Sequence, residues 1–255
     1  MRCAGPGARG TGRDHVTADM ELPQRLEALM DHLAPEETVR LGGPLLGLEP
    51  ARQRWELVEG NRLALSRVLR RDLHLVRRHR AELLALLPLD GNVTNQLVFP
   101  LVTALGRRPV LRYIIDAVGQ GGWPQRANAS KAAYWVPKGP SVPGWEELFV
   151  SVRDGVMSVA DARAKLRRLR AQPEQTDNDA VADLWPELWL ASMRAFVDCD
   201  DDGLRRRLHT AFPLAAAHYP PEAAPLREEA ERIALAQPER FGRLLDGSTG
   251  YGLAI

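Results

Sequence analysis

The densest chemistry in this sequence is cationic: residues 62–80 carry Arg62, Arg67, Arg70, Arg71, His74, Arg77, Arg78, His79 and Arg80. At a helical advance of about 100° per residue, Arg67, Arg71, His74 and Arg78 form one stripe opposite Leu65, Leu69, Leu73 and Val76. A guanidinium presents its N–H donors as a planar fork, so such a stripe can grip phosphates or the carboxylates of an acidic partner. The solvated side of an ordinary amphipathic helix has the same appearance. Two features favour that plainer reading. Of the 34 basic residues only Lys131, Lys138 and Lys165 are lysines, so arginine is the default cation throughout. No aromatic residue interleaves with the arginines to stack unpaired bases, and no companion recognition helix completes a helix-turn-helix.

Carboxylates concentrate elsewhere, at Asp177, Asp179, Asp183, Glu187, Asp198, Asp200, Asp201 and Asp202. The acidic and basic segments could meet within the fold or in a neighbouring copy. Asp200-Asp201-Asp202-Gly203 offers clustered oxygens to a hard cation, but lacks the spaced ligands and distal glutamate of a calcium loop. A local role is favoured, in which these aspartates cap a helix beginning near Leu204 and complement Arg205, Arg206 and Arg207.

The six histidines form no HExxH pair, and no serine sits in a GxSxG elbow. Gly119-Gln120-Gly121-Gly122 is too short for a phosphate loop. Asn92 and Asn128 open glycosylation triplets, which carry meaning only in a secreted chain. Cys3 and Cys199 are far apart, have no cysteine neighbours, and read as free thiols. No catalytic, metal-ligating or cofactor-binding residue is assigned.

Among apolar residues, Tyr134, Trp135 and Trp145 stand out because they flank a Pro/Gly loop over residues 137–144. Exposed together, they would line a peptide-binding groove. Buried, they would end a core helix and plug a joint between subdomains, which is the favoured reading.

These residues must be positioned by helices. Leu22, Leu26, Leu29, Met30 and Leu33 recur at spacings of three and four, with Pro23 in a first turn. A short helix begins at Pro35 and stops at Gly42-Gly43-Pro44. Residues 51–87 contain no proline and place Trp55, Val58, Leu65, Leu69, Leu73, Val76, Leu83 and Leu87 along one side, with a break expected near Gly60-Asn61. Thr94 is expected to cap a helix ending at Gly106, and Pro109 to start another that Gly119–Gly122 closes. Trp123-Pro124 opens the next, and residues 145–152 form a short apolar helix or strand. Ser158 caps a helix to about Arg170, residues 172–179 are a polar linker, and further helices cover 180–197, 204–212, 222–236 and 238–245. No convincing alternating strand pattern is present. The expectation is an all-α protein of roughly ten helices, with a disordered tail at 1–19, a lobe at 20–136, the loop at 137–144, a second lobe at 145–246 and a flexible tail at 247–255. Met20 is an alternative start.

Within this series, residues 99–119 read FPLVTALGRRPVLRYIIDAVG: an apolar helix, a tight turn, then a helix carrying Arg112 and ending in Ala-x-Gly. Residues 192–214, SMRAFVDCDDDGLRRRLHTAFPL, are partly similar. The pair resembles a HEAT or armadillo-type unit over about a quarter of the chain, without a strict repeat period. The resemblance implies an array of stacked helical hairpins serving as a scaffold for protein partners. The arrangement is also similar to uncharacterised bacterial helical proteins, in keeping with the arginine, alanine and leucine bias of a GC-rich genome.

The net charge of +1 over 255 residues gives no general attraction to nucleic acid or anionic membrane. No segment approaches the roughly 20 apolar residues that span a bilayer. The chain is expected to be cytoplasmic and non-catalytic, to use no cofactor and to act through protein–protein interaction. Its candidate contact residues are Arg67, Arg71, His74, Arg78, Tyr134, Trp135 and Trp145. Nucleic-acid binding through Arg67, Arg71 and Arg78 is the alternative, and an enzyme with an unfamiliar site the third reading. Self-association is left open.

Overall fold

The computed structural model describes residues 13–40, 47–92, 95–136, 151–152, 155–170, 179–211 and 219–246. Every regular element among them is helical, which gives the expected all-α class. The loop at 137–144, Trp145, Thr94 and Cys3 lie outside the described residues. The chain divides into two compact units, residues 1–68 and 69–255.

The first unit begins with α1, Arg13–Leu33, which takes in part of the expected tail. Residues 13–19 contain neither Gly nor Pro, so nothing stops the helix until Gly12. Pro23 consequently falls inside α1 rather than in its first turn. Leu22, Leu26 and Met30, spaced by four, form its buried stripe. A single tight turn, Pro35–Glu37, follows.

Helix α2 spans Pro50–Arg71 and passes through Gly60-Asn61 without a break. These two residues instead receive a neighbouring segment. The Asn61 amide pairs with one backbone residue from both sides: Val39 N–H donates to Asn61 Oδ1 at 2.8 Å, and Asn61 Nδ2 donates to the Val39 carbonyl at 2.8 Å. Gly60 permits that approach, since a Cβ there would stand 2.9 Å from Val39 Cγ2. At the next residue, the buried Arg62 guanidinium pairs with Glu59.

A second expectation also changes. Trp55 does not join the buried side of α2, because no residue between Ala51 and Gly60 is buried. The buried series starts at Asn61 and continues through Ala64, Leu65, Val68 and Leu69. Periodicity marks which side of a helix could be covered, whereas packing decides how far along it the cover extends.

The second unit opens at the end of α2. Asp72 accepts the His74 N–H at 2.8 Å and starts α3, Leu73–Arg78. Helix α4, Arg80–Leu86, follows across His79. Helices α5 (Asn95–Leu105), α6 (Arg107–Gln120) and α7 (Trp123–Ala133) then fold in succession. Gly106, at φ +85°, forms the joint between α5 and α6, a conformation that a Cβ would strain. Residues 97–102 of α5 are all buried, so this helix is enclosed rather than one-sided. Helix α6 buries Val110, Leu111, Ile114, Ile115 and Val118, the stripe its spacing predicts.

Ser158 opens α8, Val159–Arg170, as expected: its Oγ accepts the Asp161 N–H at 3.0 Å and donates to the Asp161 carboxylate at 2.6 Å. A turn at Asp179–Leu184 leads into α9, Trp185–Asp198, which packs on α6 and on the helices that follow it. Those are α10 (Asp202–Leu208) and α11 (Ala224–Ala236), trailed by the short α12 (Pro238–Phe241) and α13 (Arg243–Asp246). Phe196 of α9 is fully buried and meets the Phe241 ring edge-on, with centroids 5.3 Å apart.

Arginine has a recurring structural use in this unit. The last carbonyls of a helix lack intrahelical donors and carry negative dipole charge. Arg77 Nε donates to the Ala104 carbonyl ending α5, and Arg126 Nε to the Gly121 carbonyl just past α6. Arg107 Nε serves Val136, beyond α7, and Arg205 Nε serves Phe196 in the last turns of α9. Such arginines are helix terminators.

Candidate interaction surface

The structure sorts the charged clusters by what they touch. The acidic segment does meet arginines, though on α6 rather than in the 62–80 stretch. Arg108 binds Asp183 at 2.6 Å, and Arg112 holds Glu187 through both terminal nitrogens. The Arg108 hydrogen bond holds the exposed Asp183 carboxyl below its usual range. A lowered carboxylate pKa contributes stability above the unfolded-state value and loses it as pH falls through the folded value. Acid titration should therefore release this link only below the ordinary aspartate range. Asp183→Asn should flatten that limb of a stability–pH curve by lowering the neutral limb towards the acid one. An unchanged acid limb would contradict the assignment.

Asp201 caps α10, its carboxylate accepting the Leu204 N–H at 2.9 Å. Asp202 accepts from Arg205 at 3.4 Å and Gln237 at 3.3 Å, and also from Arg240. The aspartate run is thus a cap followed by a hub that ties α10 to the corner between α11 and α12. Among the described residues, no group of His, Cys, Asp and Glu could hold a metal ion.

Cys199 is buried beside this hub, its thiol donating to the Asp201 carbonyl at 3.5 Å. Burial pushes the thiol pKa up, which withholds the reactive thiolate. In the native protein Cys199 should react with a thiol reagent far more slowly than in urea; equal rates would contradict its burial.

The predicted basic residues are all exposed: Arg67, Arg71, His74 and Arg78. No single helix carries all four, because α2 ends at Arg71 and Asp72 starts a new helix. Arg67 belongs to the first unit, where it binds Glu37 at 3.3 Å. Arg71, His74 and Arg78 belong to the second. His79 is buried and faces Glu82 at 3.9 Å.

The aromatic pair packs at the end of a helix. Tyr134 and Trp135 are half-buried in the turn that ends α7. Trp135 lies 5.0 Å from the Tyr134 ring and 6.2 Å from Phe99 of α5, edge-on to both. Trp145, their expected companion, lies outside the described residues.

Sequence reasoning missed another surface, the outer side of α2 in the first unit. Trp55 is 55% exposed and Leu63 40% exposed, two large apolar side chains on one helix. Arg52 and Arg67 are exposed on the same side, within an arc of about 120° and a length of about 22 Å. Tryptophan and arginine are the side chains that most often anchor protein interfaces. Leu63 lies off the Leu65/Leu69 stripe, and that offset was the available signal. Trp55 gave none, since its helical angle borders the Leu65/Leu69 stripe.

One serine could invite a catalytic reading. Ser192 of α9 is fully buried, and neither its Oγ nor the Trp189 Nε1 one turn earlier has a hydrogen-bond partner among the described residues. A serine nucleophile needs a base within hydrogen-bond reach, and Ser192 has none there. Among the described helices, none is long and apolar enough to cross a membrane.

Comparison with known protein families, with curated proteins and with solved structures found no match to this chain.

Proposed function

We propose that this chain is a cytoplasmic, non-catalytic interaction protein, a helical scaffold that engages a protein partner through the outer side of α2. The observation that carries this reading is the exposure of Trp55 and Leu63 on one helix, flanked by Arg52 and Arg67. An exposed tryptophan places a large apolar surface in water, and covering it with a partner recovers that cost. The guanidinium groups at either end can bond to partner carbonyls or carboxylates and fix its register. The HEAT/armadillo resemblance of residues 99–119 adds support, because stacked hairpins present helices as extended binding surfaces.

The test is affinity capture from the native host, comparing the wild-type chain with Trp55→Ala/Leu63→Ala. Both side chains are exposed, so the variant should keep its helical circular dichroism. The expected result is a discrete protein retained by the wild type and lost by the variant. Identical captures, or nucleic acid as the sole captured species, would overturn the proposal.

A further inference from the structure

The structure assigns a second docking site, on α3 and α4, to an acidic polypeptide segment of a partner. This inference rests on the chain being an interaction protein, yet it concerns the second unit and different residues. Its failure and that of the α2 surface are therefore separable.

Arg78 and Arg80 are exposed and have no hydrogen bond or ion pair among the described residues. They contrast with Arg108, Arg112, Arg205, Arg227, Arg232 and Arg240 of the same unit, each of which faces a carboxylate. Arg77, beside Arg78, uses Nε for the Ala104 carbonyl, and its two terminal nitrogens make no further bond among the described residues. Exposed His74 adds a ring at the other end of α3. Two carboxylates lie on this segment, Asp72, which accepts the His74 N–H, and Glu82, 3.9 Å from His79. Against them stand Arg77, Arg78 and Arg80, so the segment keeps a positive excess and its arginine side chains bond to neither carboxylate.

Carboxylates match that surface better than a nucleic-acid duplex does. Guanidinium forks form paired hydrogen bonds with carboxylates, so a short acidic peptide can satisfy Arg77, Arg78 and Arg80 directly. Duplex affinity instead depends on neutralising many phosphates along a broad basic face. Here the chain carries a net charge of only +1, and the basic segment is divided between α3 and α4 at His79. The segment also lacks aromatic rings on which unpaired bases could stack.

The proposal is tested on the full chain by fluorescence anisotropy, with a labelled oligoglutamate peptide and a labelled short DNA duplex as probes. Arg78→Ala/Arg80→Ala should weaken peptide binding about fivefold, given exposed ion pairs of modest strength. Arg78→Glu/Arg80→Glu should abolish it, while Arg194→Ala, an exposed arginine on α9, should leave it unchanged. Added salt should weaken binding to the wild type. Equal affinities for wild type and both double variants would overturn the proposal. So would tighter binding to the duplex than to the peptide. Light scattering provides a separate check: a wild-type oligomer dissolved by Arg78→Glu/Arg80→Glu would make the occupant a second copy, and would also overturn it.

Discussion

Asn61→Ala is expected to destabilise the first unit by about 2–4 kcal/mol, as two hydrogen bonds to one backbone residue disappear and its polar groups lose their partner. The Asn61 side chain is almost fully buried, and no water-facing substitute for the amide is at hand. Its carbonyl oxygen accepts from Val39 N–H while its nitrogen donates to the Val39 carbonyl, each at 2.8 Å. The arrangement reproduces the pairing of two extended backbones with a side chain replacing one of them. Asn61→Asp retains the acceptor and loses the donor, and should fall between wild type and alanine after allowance for the buried charge. Urea denaturation followed by circular dichroism is the measurement. Because alanine has the better helix propensity, an unpaired Asn61 would make the substitution neutral or stabilising. A loss below about 0.5 kcal/mol would contradict the assigned role.

Phe196→Ala should have an effect at least as large, about 3–5 kcal/mol on the second unit, through lost burial and the cavity left behind. Phe196 is fully enclosed and meets Phe241 edge-on. Arg205 stands 5.9 Å over its ring and donates Nε to its carbonyl. Helix α9 packs on α6, α10 and α11, so a cavity there weakens several contacts together. Phe196→Leu, which retains more of the volume, should cost clearly less. A cost below about 1 kcal/mol for alanine would mean that α9 is not central to the core.

The features legible in the sequence were those with local causes. The α6 stripe, Val110 to Val118, repeats at helical spacing over about two and a half turns, and burying such a stripe requires no information from elsewhere. The caps at Ser158 and Asp201 involve residues three positions apart, and both form as expected. The illegible features depend on partners distant in sequence. Gly60-Asn61 resembles a helix stop by composition, but its meaning comes from Val39, 22 residues earlier. The acidic segment finds Arg108 and Arg112 across 75 residues, which no spacing rule anticipates. Arg107 is buried against a carbonyl 29 positions on, so a residue that counts as surface by type becomes a helix terminator.

The candidate surface was partly legible for the same reason. Exposure of Arg67, Arg71, His74 and Arg78 follows from their type and spacing. The break at Asp72 and the pairing of Arg67 with Glu37 do not. Trp55 was the opposite case: its helical angle borders the core stripe, yet the first turns of α2 carry no buried residue. A residue pattern specifies a face, and only the neighbouring chain determines whether that face is covered.

The most direct test places a photo-reactive benzoylphenylalanine at Leu63 in the full chain, inside the native host, with the still more exposed Leu235 of α11 as control. The account predicts a discrete, protease-sensitive adduct from position 63 that is absent from position 235 and disappears in a Trp55→Asp background. Matching adducts from both positions, or none from either, would contradict it.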